Sequence, residues 1–166
     1  MKIRDIALVG VLSATITAGK LALSILPNVE IVTILFIVYT IVFGIRKTLM
    51  VSIVFSTMEI FIYGFSTWFI AYYFIWPLLI FLTNAVKDKI KTEYGFAFIG
   101  GIFGLSFGLF FAIFESFFYG MFYGISYWIK GIPFDIVHGV SNFIIILILY
   151  KPLLNVLEKY YNRGLR

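Results

Sequence analysis

Five ionisable residues fall inside otherwise apolar stretches of this chain: Lys20, Glu59, Glu115, Asp135 and His138. A charge held in hydrocarbon is costly, so such a residue faces a cavity, pairs with a neighbour or serves a function. The carboxylates accept hydrogen bonds from hydroxyl or amino groups, and Lys20 is the one strong cation among the five. Asn28 and Asn142 add amides that both donate and accept. Together these groups suit the recognition of a small polar molecule. They do not suit bond-making chemistry. No Walker-type glycine loop is present, so the chain is not expected to hydrolyse nucleotide. With no cysteine, disulfides and thiolate metal sites are excluded. One histidine argues against a high-affinity nickel, cobalt or zinc site. No serine–histidine pair has a spacing that calls for a hydrolase, and no resident cofactor is expected.

The surroundings of these residues name the solvent. The chain has 166 residues, is 62% hydrophobic and only 13% charged, with mean hydropathy +1.05. A soluble domain carries roughly twice that charge. Twenty phenylalanines and eleven tyrosines cannot all hide in so small a globule. The expectation is an all-α integral membrane bundle forming one domain over 1–166. The net charge of +5 is not read as nucleic-acid binding, because the basic residues cluster. The first apolar run carries polar residues throughout and no clear small-residue cleavage site, so it is not read as a cleaved signal.

Six membrane segments are expected: about Arg4–Leu26, Glu30–Gly44, Thr48–Tyr63, Trp68–Val86 with Pro77 inside it, Gly95–Tyr119 and Phe134–Leu157. Pro27-Asn28 breaks the chain after the first. Pro77 removes one backbone hydrogen bond and is expected to kink its helix. The glycine- and tyrosine-rich stretch Gly120–Pro133 reads as a connection, either a lid or an amphipathic segment lying flat in the interface. Lys2, Arg4, Arg46, Lys47, Lys87, Lys89, Lys91, Lys151, Lys159, Arg163 and Arg166 all fall on one side of a six-span arrangement. The opposite links hold Glu30, Lys130 and Asp135. The positive-inside rule then puts both termini in the cytoplasm. On that topology the five intramembrane ionisable residues sit in the outer half, which points to a polar pocket open to the exterior.

Helical faces organise the candidates further. In the first segment, Ala7, Ala14, Ala18 and Ala22 form one stripe and Ser13, Thr17, Lys20 and Ser24 another. A small-residue stripe lets a second helix approach closely in lipid, so Ala14, Ala18 and Ala22 are candidate partner-docking positions. The alternative is that they pack against this chain's own helices. Ser52, Ser56, Glu59 and Tyr63 share a face of the third segment. Asp135, His138 and Asn142 share one of the sixth. Gly100, Gly104 and Gly108 align with Glu115 and Tyr119 in the fifth, and serve either a close helix crossing or space for a ligand. Trp68, Tyr72 and Trp76 stand four apart along one face, a row suited to stacking on a flat ring. The aromatics around them also fit an interfacial belt. For each charge a structural reading stands beside the functional one: Lys20 snorkels outward, or Glu59 or Glu115 pairs with it to hold the bundle together.

The segment GIPFDIVHGVSNFIIILILYKPL, Gly131 to Leu153, resembles the last helix of the substrate-binding S components of energy-coupling factor transporters. A-x-x-x-A at Ala14–Ala18 and the run LPNVEIVTILFIVYTIVFG, Leu26 to Gly44, fit the same family, as do length, six spans and inward termini. The resemblance implies a protein that captures a vitamin or its precursor outside a prokaryotic cell. It implies association with a membrane T component and two cytoplasmic ATPases, the ATP being used by those partners. It also implies toppling of the S component in the membrane to deliver the ligand. The small-residue motif would meet the T component, and the ligand would lie under the links joining segments one to two, three to four and five to six.

The expected function is therefore ligand capture for an ATP-driven importer, not catalysis. Candidate ligand-binding residues are Lys20, Asn28, Glu59, Tyr63, Trp68, Tyr72, Trp76, Glu115, Tyr119, Asp135, His138 and Asn142. Dense aromatics and acceptors favour a flat heteroaromatic such as pyridoxine or hydroxymethylpyrimidine, with folate, cobalamin and other vitamins as alternatives. A self-contained carrier or a small membrane enzyme is the rival reading. The first needs coupling groups through the membrane depth and the second a nucleophile or metal set, and neither is evident.

Overall fold

The most apolar helix lies at the centre. In the computed structural model, which describes residues 3–163 and side chains as far as Tyr161, Val32–Phe43 forms a helix with nine buried residues on all its faces. A helix apolar all round belongs in a core. Around it, numbering in chain order, stand α1 (Ile3–Ala22), α3 (Ile45–Tyr63), α4 (Thr67–Val86), α5 (Glu93–Leu105), α6 (Phe107–Tyr119) and α7 (Met121–Arg163), the central helix being α2. All the regular structure among the described residues is helical. Four stretches are long and apolar enough to cross a membrane: Ile3–Ala22, Thr67–Val86, Glu93–Tyr119 and Met121–Tyr161. Exposed Phe61, Phe117 and Phe122 show how much aromatic surface faces outward. These are the apolar helices of a membrane protein.

The helix ends follow local chemistry. α1 stops at Ala22, four residues before the expected end, and Leu23–Leu26 continues as turns. Pro27 has no N–H to give Leu23 and disfavours helical geometry in the residue before it. Gly44, at φ +82° and ψ +161°, separates α2 from α3. Residues with a side chain rarely adopt that geometry. Arg46 and Lys47 therefore open α3 rather than closing α2. A cation in a first turn opposes the helix dipole. Lys47 is compensated by an ion pair to Asp5 at 2.9 Å and a hydrogen bond to the Tyr161 hydroxyl at 3.3 Å.

Two expectations need correction. Gly120–Pro133 is not a separate connection ahead of the last helix: α7 begins at Met121 and runs through both Pro133 and Pro152. Membrane helices tolerate an internal proline because neighbouring helices and side chains can satisfy the backbone groups it frees. The break is instead Gly120, at φ +88°, and α6 and α7 form a hairpin about it with Gly124 set against Ala112 and Ser116. Second, the fifth segment is two helices, α5 and α6, divided at Ser106.

The glycine run serves the helix crossing. A methyl group built on Gly104 would lie 2.9 Å from the Gly139 backbone, and one on Gly139 would lie 2.9 Å from the Gly101 carbonyl oxygen. α5 and α7 thus meet almost backbone to backbone, as small residues allow. On the other side of the bundle α1 packs against α3. Ser13 donates to the Val9 carbonyl at 2.8 Å and reaches the Val51 carbonyl at 3.3 Å. Ser13 and Thr17 are buried, while Ala7, Ala14, Ala18 and Ala22 are exposed. The alanine stripe therefore does not pack inside this chain.

Asp5, Phe43, Lys47 and Tyr161 meet at one end, bringing the first turn of α1 to the last turns of α7. Lys20, Asn28, Tyr63, Trp68 and His138 meet at the other. Lys2 and Arg166, and the side chain of Arg163, lie outside the described residues.

Candidate functional site

At that second end the helices part around a cavity of about 340 Å³. α1 contributes Lys20 from its last turn. The loop between α1 and α2 contributes Asn28 and Glu30. α3 gives Tyr63, α4 gives Trp68, Tyr72 and Trp76, α6 gives Phe107, and α7 gives His138. The spacing of four along α4 stacks its three rings on one wall, with Trp68–Tyr72 and Tyr72–Trp76 centroids each 5.4 Å apart and edge to face. Phe107 stands 5.5 Å from Trp76 and 4.6 Å from the His138 ring. It links the aromatic wall to the polar one.

The polar wall is assembled across the sequence. Lys20 pairs with Glu59, which is fully buried on α3. His138 Nε2 lies 3.2 Å from Glu30 Oε1. The other Glu30 oxygen accepts the Thr33 backbone N–H at 2.8 Å, covering an open donor at the start of α2. One turn further along α7, Asn142 donates to Thr33 Oγ1 at 3.1 Å. Ser141 donates to the Asn28 carbonyl at 2.9 Å. Asn28 itself sits at φ +60°, a left-handed conformation that asparagine tolerates better than most residues. The loop over the cavity is thus tied to α7 at Asn28 and at Glu30. Glu59 Oε1, Trp76 Nε1 and His138 Nδ1 are buried with no hydrogen-bond partner among the described residues.

Of the twelve positions expected from the sequence, Lys20, Asn28, Tyr63, Trp68, Tyr72, Trp76 and His138 line this cavity, and Glu59 stands directly behind Lys20. Asp135 accepts the Gly108 N–H at 2.8 Å and borders a neighbouring hollow that shares Asn28 and Phe107. Asn142 lies beneath the floor, bonded to α2. Glu115 accepts a hydrogen bond from Thr67 at 2.7 Å and joins α6 to the start of α4. Tyr119 is exposed at the hairpin tip, its ring 4.9 Å from that of Tyr123. Glu30 and Phe107 were not among the expected positions. An acid just ahead of an apolar helix is a recognisable N-terminal signal, which marks Glu30; Phe107 carries no such mark.

No protein-family model matches the chain, and no curated protein or solved structure matches it. The arrangement itself offers an aromatic wall, two acid–base pairs and buried polar atoms without a partner among the described residues. That set can hold a small ring by stacking and orient it by hydrogen bonds.

Proposed function

We propose that the chain is the substrate-capture subunit of an ATP-driven importer of the energy-coupling factor type. In this reading it spans a prokaryotic cytoplasmic membrane six times with both termini inside. It binds a water-soluble vitamin or precursor on the outer side and releases it inward by toppling with a T component and two ATPase subunits. The observation that carries the reading is the 340 Å³ cavity at the end away from the first turn of α1 and the last turns of α7, with Trp68, Tyr72 and Trp76 on one side and Lys20, Glu30 and His138 on the others. A flat heteroaromatic ligand, such as pyridoxine or hydroxymethylpyrimidine, suits its walls. The exposed stripe of Ala14, Ala18 and Ala22 suits close approach of a partner helix. Toppling can drive transport only if it lowers affinity for the ligand, since a partner shifts an equilibrium only through a difference between states.

Copurification tests this reading. The tagged chain, expressed in its own host, should retain a second membrane protein and two ATPases, and mass spectrometry of the extracted complex should reveal a small molecule. If instead the chain alone moves a solute across proteoliposomes without ATP, it is a carrier and the proposal fails.

A further inference from the structure

Four aromatic rings surround one ammonium group. Lys20 Nζ lies 5.0 Å from the Tyr63 ring centroid, 5.2 Å from Tyr72, 5.8 Å from Trp68 and 5.9 Å from Phe55. A cation within about 6 Å of a ring centroid is drawn to the ring's negative face, and cages of several rings are how proteins recognise quaternary ammonium groups. Holding an ion pair with Glu59 does not require such a cage. We propose that the cavity is an organic-cation site whose resting occupant is the chain's own Lys20.

Three observations support this. Glu59 is fully buried at the cage wall, and its Oε1 has no partner among the described residues, so the counter-ion has acceptor capacity beyond its bond to Lys20. Lys20 stands in the last turn of α1 with 22% of its side chain exposed, and its flexible stem can carry the ammonium from the cage to the cavity mouth. At this end the carboxylates Glu30, Glu59, Glu115 and Asp135 outnumber the lysines Lys20 and Lys130, which also favours a cation. A flat ring bearing a fixed or protonated positive charge would take the place of the lysine against Glu59 and the rings, with Lys20 displaced towards solvent. The inference rests on the cavity being the capture site, and it narrows the ligand class to cations.

The test uses the full-length protein in detergent with 1-methylnicotinamide, a flat cation, and its uncharged isostere 3-methylbenzamide. Calorimetry should show at least tenfold tighter binding of the cation. Lys20→Met should tighten cation binding at least another tenfold, because the internal competitor is gone. In the wild type, saturating cation should raise acetylation of Lys20 by acetic anhydride severalfold, read by peptide mass spectrometry. If Lys20→Met leaves Glu59 uncompensated and does not fold, the wild-type acetylation and the Lys20→Met/Glu59→Gln double variant decide. The double variant keeps the rings but not the counter-ion, and should show a smaller preference for the cation than the wild type. Weaker cation binding to folded Lys20→Met, protection of Lys20 by the cation, equal affinity for the isostere, or no cation binding to any of these proteins would each overturn the proposal. Copurification with the ATPases is scored separately, so an importer of an uncharged ligand remains distinguishable.

Discussion

Glu30 shows how much of the site depends on single side chains. Its two oxygens join the loop after α1 to α7 through His138 and to α2 through Thr33. His138→Ala removes one of those anchors and a wall of the cavity together. Ligand affinity should fall about tenfold or more, equivalent to at least ~1.4 kcal/mol, as measured by calorimetry, while copurification with the partners is retained. Glu59→Ala should weaken capture in the same assay, since it removes the acceptor at the cage wall. Unchanged affinity in both variants would move the site elsewhere. The residues on helices were legible from their period: Lys20, the α4 row and His138 follow from positions three, four and seven apart. Glu30 sits in a loop, where side-chain direction has no period. Its role depends on α7 lying beside it, a contact between residues far apart in the sequence.

At the level of elements, the crossing of α5 and α7 makes the sharpest prediction. Gly104→Val puts side-chain atoms where the Gly139 backbone already stands. Overpacking of this kind costs about 1–3 kcal/mol, so the midpoint of thermal unfolding in detergent should drop. Gly10→Ala, where nothing lies within 4 Å and alanine is the better helix former, should not lower it. Ala14→Trp on the exposed face of α1 should abolish copurification with the partners and spare ligand binding. Loss of binding with assembly intact would reverse the roles of the two faces of that helix. Most helix boundaries could be read from the sequence because Pro27, Gly44 and Gly64 interrupt the apolar runs. The start of α7 could not. Its glycines, tyrosines and Pro133 carry loop signals, which packing against neighbouring helices can offset in a membrane bundle. The division at Ser106 was hidden for the opposite reason, because hydropathy continues unbroken across it.

For the whole molecule, the absence of cysteine makes topology directly measurable. Single cysteines at the exposed positions Ser24 and Lys89 should react with a membrane-impermeant maleimide from opposite sides, Ser24→Cys in intact cells and Lys89→Cys only after the membrane is opened. Labelling of both from outside would contradict the six-crossing arrangement with internal termini. Clustering of basic residues in the sequence is what points to that arrangement. Asp5, Lys47 and Tyr161 meet at one end of the bundle. The length of α7 has a further consequence. At about 1.5 Å per residue, its 43 residues would extend about 65 Å if straight, roughly twice the ~30 Å of hydrocarbon available. A rod of that length must lean, bend or protrude, and each response has an elastic cost that changes with acyl-chain length. Lipid composition thereby becomes a physical input to this protein: swapping short-chain for long-chain phospholipids in a vesicle would bias how upright the bundle stands, with no change to any amino acid.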